Sequence, residues 1–209
     1  MILYACSSNP GKLNEFALAG RESGIHGLDI QPLPGLKGIA PPEENGSTFE
    51  ENAIAKACYY SGFTQEPVFA DDSGLVVPAL DGAPGLYSSR YAGPHATAAE
   101  NNALLLKNLT DIDHRAASFV CVVALARAGV LLTTARGTVD GRILHSMAGT
   151  GGFGYDPLFF YPPFNASFGD LGERTKFSIS HRGNALRELF RWLQHAGSAR
   201  LQNAASSLH

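Results

Sequence analysis

Five apolar residues, Ile2-Leu3-Tyr4-Ala5-Cys6, run straight into Ser7-Ser8-Asn9-Pro10-Gly11, and from Lys12 the pattern turns helical. A short continuous apolar run reads as a buried strand, and the Ser/Asn/Pro/Gly cluster ends it. Leu13, Phe16 and Ala17 then share one predicted helical face. Strand, polar loop and helix together form a standard ligand-binding start in α/β folds.

Later segments follow the same punctuation without any internal repeat. Glycines and prolines break up residues 32–46, which predicts loop. Ser47 and Glu50 have capping-box spacing, so a helix is expected from near Ser47, with Phe49, Ala53 and Ala57 as its apolar stripe and Ile54 beside them. Residues 68–70 predict a short strand that ends at Asp71-Asp72-Ser73. Thr97 and Glu100 form a second box, opening a helix through about Leu109. Residues 117–127 and 130–139 read as a hairpin about Ala128-Gly129. A glycine-rich loop from Gly149 to Gly154 precedes an aromatic stretch that reaches Phe164, and Ser180 is placed to cap a last helix from about Arg182 to His195. The fold class is α/β with a mixed sheet. One domain is expected over residues 1–196, with a frayed tail over 197–209.

Composition narrows the function classes. The longest apolar run, Phe119 to Ala126, stops at Arg127, well short of the roughly 18–20 residues that cross a bilayer. A formal net charge of −3 argues against a dedicated nucleic-acid surface. The first residues lack the basic segment of a signal peptide. Cys6, Cys58 and Cys121 are odd in number and far apart, which predicts free, buried thiols and a cytoplasmic setting.

Four segments could carry chemistry. Ser7 to Lys12 gathers hydroxyls, an amide and a lysine where a strand meets a helix N-terminus, a place that favours phosphate. A serine-capped turn fits the same residues. Asp71-Asp72-Ser73 and Glu43-Glu44 offer hard oxygens of the kind Mg²⁺ takes, one or two carboxylates plus substrate phosphates. A solvated acidic turn is the alternative for the aspartates. In Gly149–Pro157, glycines allow close backbone approach to a flat ligand and Phe153 or Tyr155 offers a stacking face, unless both rings are core. Lys176, His181 and Arg182 can donate to carbonyl or phosphate oxygens, or stand as surface residues. Together they match a nucleoside phosphate with Mg²⁺.

In this order the segments resemble the inosine triphosphate pyrophosphatase family. The resemblance covers about residues 2–195 and rests on SSNPGKLNEF (7–16), EENGSTFEENAIAKA (43–57), FADDSGL (69–75), GAPGLYSSRYAG (82–93), GTGGFGYDPLF (149–159) and SHRGNAL (180–186). It implies an elongated mixed α/β sheet with flanking helices, in two lobes around a central cleft, usually as a homodimer. It also implies Mg²⁺-dependent hydrolysis of non-standard purine nucleoside triphosphates (ITP, dITP, XTP) to monophosphate and pyrophosphate. Carried over residue by residue, Ser7, Ser8, Asn9, Pro10, Gly11 and Lys12 are similar to the triphosphate loop, with Ser7 keeping the hydroxyl where threonine is common. Asp72 matches the proton acceptor and metal ligand, and Ser73 a substrate contact. Glu44 or Glu43 matches a further metal ligand, and Lys56 a phosphate-site lysine. Phe153, Gly154, Tyr155, Asp156, Lys176, His181 and Arg182 match the nucleobase pocket. The FGYD and SHRG segments weigh against a Maf-like pyrophosphatase. Intact acids weigh against a non-catalytic nucleotide sensor, and no glutamate-rich helix motif points to a Nudix hydrolase.

Overall fold

Asn9 lies in extended backbone and its side chain accepts the Lys12 N–H, while Pro10 takes the first helical position with φ already set. The helix therefore starts at the end of the serine loop, two residues before Lys12. In the computed structural model, which describes residues 1–197, strand β1 (Ile2–Ala5) leads through helix α1 (Pro10–Glu22) to β2 (Asp29–Pro32). Helix α2 (Phe49–Ser61) then leads to β3 (Val68–Val76). Strand β1 pairs in parallel with β2 and with β3, with Ala5 opposite Phe69. Nothing in Asp29-Ile30-Gln31-Pro32 alternates strongly enough to have predicted β2; its pairing with β1 makes it a strand.

The chain continues through α3 (Ala98–Asn108), β4 (Ala116–Arg127), β5 (Val130–Ile143), β6 (Phe159–Tyr161), β7 (Ala166–Ser167), α4 (Glu173–Ile179) and α5 (His181–Trp192). The seven strands form one mixed sheet in the order β2-β1-β3-β4-β5-β6-β7, with helices flanking it. At the β4–β5 turn both Ala128 and Gly129 have positive φ, as a two-residue type I′ loop requires. Two compact units share the chain. The first takes residues 1–72, 121–137 and the described residues from Arg182; the second takes 73–120 and 138–181.

In the first unit, strand alternation divides β3 between two helices. Val68 and Ala70 pack with Ala53 and Ala57 of α2, all but fully buried. Phe69, on the opposite face, meets Phe16 of α1 edge to face at 5.0 Å. In the second unit, Leu105 and Leu109 from the α3 end pack with Phe119, Phe159 and Phe168. Arg115 clamps that unit by donating to the carbonyls of Leu109, Ile143 and Leu144.

Several local expectations shift. Strand β3 runs six residues beyond Ala70, so Asp71, Asp72 and Ser73 lie inside it rather than after it. Helix α2 is capped by Thr48, one residue later than predicted, while Glu51 accepts from the Ser47 N–H and hydroxyl. The Thr97 box forms as predicted, with both reciprocal bonds present. Ala17 is exposed and Glu15 is buried instead, because Glu15 binds Arg182. A separate helix, α4, precedes the predicted last one, and the aromatic stretch supplies β6. Cys58 is only half-buried, while all three cysteines are free. No helix among the described residues is long and apolar enough to cross a membrane. The tail from residue 198 lies outside the described residues.

Candidate active site

Asp71 and Asp72 are neighbours in a strand, so their side chains leave opposite faces of the sheet. Each meets a different helix, and the helix spacing explains which residues it meets. Lys12 and Glu15 are three apart on α1, and Asn52 and Lys56 are four apart on α2. The acidic pair therefore bonds to two different helices, one on each face.

On the α1 face Asp71 is buried to 3% exposure. Its Oδ1 and Oδ2 each lie 3.0 Å from Lys12 Nζ. Oδ2 also accepts from Arg182 Nε at 3.2 Å, and from the Cys121 thiol at 3.8 Å. Arg182, itself 1% exposed, donates its other arm to Glu15. Burial alone would raise the Asp71 carboxyl, but the charges of Lys12, Arg182 and Lys56 outweigh it and hold it well below the usual range. Burial likewise works against the Arg182 cation, yet Glu15 and Asp71 keep it firmly protonated.

The α2 face carries a looser cluster. Lys56 Nζ donates to Asp72 Oδ1 at 2.9 Å and to Glu44 Oε1 at 3.1 Å, so one ammonium links the two carboxylates. Asn52 Nδ2 donates to Asp72 Oδ2 at 3.2 Å. Burial is the largest influence on Asp72 and leaves its carboxyl above the ordinary value despite Lys56 and Asn52. For Lys56, burial opposes the charge, and Asp72 and Asp71 more than restore it. Glu43 instead accepts from Asn45 at 2.7 Å. Among the described residues, no three His, Cys, Asp or Glu side chains are gathered to hold a metal. Two hard carboxylates already linked by a cation do fit a Mg²⁺ ion that takes its other ligands from phosphate and water.

In the second unit, Asp156 organises the glycine-rich loop. Its Oδ2 accepts from the Phe153 N–H at 2.7 Å and from Lys176 Nζ at 2.6 Å. Lys176 Nζ also stands 4.3 Å from the centre of the Phe153 ring. The Tyr155 hydroxyl donates to the Ser88 carbonyl at 2.9 Å. The His181 ring stacks on Phe119, 4.7 Å apart and 13° from parallel.

The loop glycines are explained mainly by their protein neighbours. A Cβ on Gly149 would overlap the Gly169 backbone, and one on Gly152 would overlap the Asp156 carboxylate. Gly154, at φ +61, has open space where its Cβ would point.

Of the sequence-predicted residues, Lys12, Glu44, Lys56, Asp72 and Arg182 lie in the first unit with Ser7 to Gly11. Phe153, Gly154, Tyr155, Asp156, Lys176 and His181 lie in the second, with Ser73 at its edge. Arg182, predicted alongside His181, is engaged by Glu15 and Asp71. Asp71, read from the sequence as one of the carboxylates open to Mg²⁺, is instead bonded to Lys12 and Arg182, while Glu15, Asn52 and Asn102 escaped the sequence reading. Only the helical spacing of Lys12 with Glu15 and of Asn52 with Lys56 could have hinted at them.

Solved structures share this fold. The HAM1 protein from Coxiella burnetii is 39% identical, with a TM-score of 0.83 over 94% of this chain and 100% of its own. The Staphylococcus aureus Ham1 protein is 37% identical, with a TM-score of 0.81 over 93% of this chain and 98% of its own. The Ham1 family model matches residues 3–192, and the chain belongs to that family. A curated relative, the dITP/XTP pyrophosphatase of Exiguobacterium sibiricum, is 45% identical over 192 residues, 90% of this chain and 95% of its own.

Proposed function

We propose that this chain is a dITP/XTP pyrophosphatase that also accepts ITP, cleaving non-standard purine nucleoside triphosphates to monophosphate and pyrophosphate as a single catalytic domain. The observation that carries the reading is the Asp72–Lys56–Glu44 cluster, found in a chain 45% identical to an enzyme of that name. Water adds to the α-phosphorus, the bond from that phosphorus to the bridging oxygen breaks, and pyrophosphate leaves with the bond's electron pair.

Asp72 takes the water's proton or orients the water within hydrogen-bond reach. Lys12 and Lys56, with the hydroxyls and N–H groups of Ser7 to Gly11, hold the phosphates. Asp72 and Glu44 would hold Mg²⁺, which when bound neutralises charge on the phosphate oxygens. Glu44 is preferred to Glu43 because Lys56 already links Glu44 to Asp72.

Phe153 stacks on the base, and Lys176 donates to it. Hypoxanthine and xanthine present a 6-oxo acceptor, whereas adenine presents a 6-amino donor that offers the lysine N–H no acceptor. Guanine, which shares the 6-oxo group, is rejected at its 2-amino substituent. His181, held flat against Phe119, supports the base pocket, and Arg182 supports the phosphate side through Asp71. The protein works as a homodimer in the cytoplasm.

Incubation with ITP and Mg²⁺, followed by product identification, tests this reading. IMP with pyrophosphate supports it. IDP with phosphate would make the protein a phosphatase, and tight binding without product a sensor. Equal turnover of GTP and ITP would contradict the base assignment.

A further inference from the structure

Helix α3 carries two adjacent asparagines that are both buried, Asn101 at 5% exposure and Asn102 at 4%. Buried amides are expensive unless their donors and acceptors are used. Asn101 uses both ends: its Oδ1 accepts the Ala92 N–H at 2.8 Å and its Nδ2 donates to the Ser89 carbonyl at 3.2 Å. Asn102 uses one end. Its Nδ2 donates to the Gly154 carbonyl at 3.0 Å, 52 residues away, while its Oδ1 is buried with no hydrogen-bond partner among the described residues.

The bonded residue is the joint of the glycine-rich loop. Gly154 has a left-handed φ of +61 and open space where a side chain would be. The residues beside it are each held at one point, the Phe153 N–H by Asp156 and the Tyr155 hydroxyl by Ser88. What remains to be set is the peptide between Gly154 and Tyr155, and Asn102 grips its carbonyl. The amide cannot turn over, because that would face Oδ1 against the same carbonyl oxygen.

We propose that Asn102 is a positioning residue for base recognition: it fixes the Gly154 peptide, and with it the Phe153 face, and its spare Oδ1 takes one further donor, a water or a ligand N–H, when a base occupies the loop. This rests on the base-pocket role given above to Phe153 and Lys176. A buried, half-satisfied amide is costly, and a donor arriving with the ligand would relieve that cost only in the bound state.

The test compares full-length wild type with Asn102→Ala and Asn102→Asp. Asn102→Asp keeps the size and one acceptor but turns a carboxylate oxygen on the Gly154 carbonyl. KM for ITP should rise about tenfold in Asn102→Ala, the scale of one hydrogen bond with the ordering it provides. It should rise further in Asn102→Asp, with kcat within about twofold in both and the preference for ITP over GTP reduced. Inhibition by inorganic tripolyphosphate, a probe without a base, should be unchanged. Hydrogen exchange of a peptide spanning residues 151–158 should speed up in both variants. If exchange there is unchanged, Asn102 does not position the loop. If KM and tripolyphosphate inhibition shift together, its effect is general and the proposal is overturned. Wild type that fails to cleave ITP would instead remove the functional reading, and the exchange experiment would still judge the anchoring of Gly154.

Discussion

Replacing Asp71 by asparagine tests whether this buried carboxylate holds the α1 face together. The substitution keeps the shape and removes the charge to which Lys12 and Arg182 are both bonded. Breaking a buried ion pair by neutralising one partner costs about 3–5 kcal/mol, because the other charge stays buried. Two features place this case at the low end. Arg182 keeps Glu15, and Lys12, whose side chain is 20% exposed, can turn its ammonium to water. A loss of about 3 kcal/mol in a chain of this size corresponds to a fall in Tm of roughly 6–12 °C. The dependence on pH follows from the same geometry. The folded carboxyl sits below its unfolded value of about 3.9. Its contribution is therefore fully present above that pH and is lost as pH falls through the folded value. Thermal unfolding of wild type and Asp71→Asn between pH 7 and pH 3 should show a gap that narrows on acidification. A gap under about 1 °C at pH 7, or one that widens toward acid, would mean that the Asp71 charge does not hold this face together.

Asp72→Asn should lower kcat by roughly 10²-fold or more while leaving Tm near wild type; turnover of ITP measures it. Lys56→Met should raise the proton affinity of the metal-free Asp72 carboxyl, because it removes a nearby cation that opposes the effect of burial; an NMR pH titration of the carboxyl without Mg²⁺ measures it. Gly149→Ala should be far more damaging than Gly154→Ala. The first drives a Cβ into the Gly169 backbone, whereas the second carries only the positive-φ penalty of about 1–2 kcal/mol; soluble yield and denaturant midpoints rank them. Thr97→Ala should cost about 1 kcal/mol by removing the α3 capping box, which equilibrium unfolding can read.

Local sequence signals carried well where the interaction itself is local. A cap reads a donor two or three residues away, so the Thr97 box appeared as predicted and the α2 cap missed by one residue. The β4–β5 hairpin was legible because only a two-residue turn with positive φ joins its strands. Helix α4 hid behind a polar segment without an apolar stripe, and β6 behind aromatic residues that fit loop or core equally well. The length of β3 was misjudged because two aspartates look like the end of a strand. They continue it because lysines from two different helices neutralise them, which no window of β3 alone can reveal.

The α/β class, the positions of most helices and the family-like set of acids, lysines and aromatics are written in the chain itself, since patterning, caps and motifs are short-range properties. How those groups are partnered depends on the folded packing. It put Asp71 and Asp72 on opposite faces, made Arg182 a partner of Glu15 and Asp71, and tied Asn102 to Gly154 across 52 residues. The physical reason is that burying a charge or an amide is tolerable only beside a partner, and strand alternation and helix crossings bring those partners from distant parts of the chain.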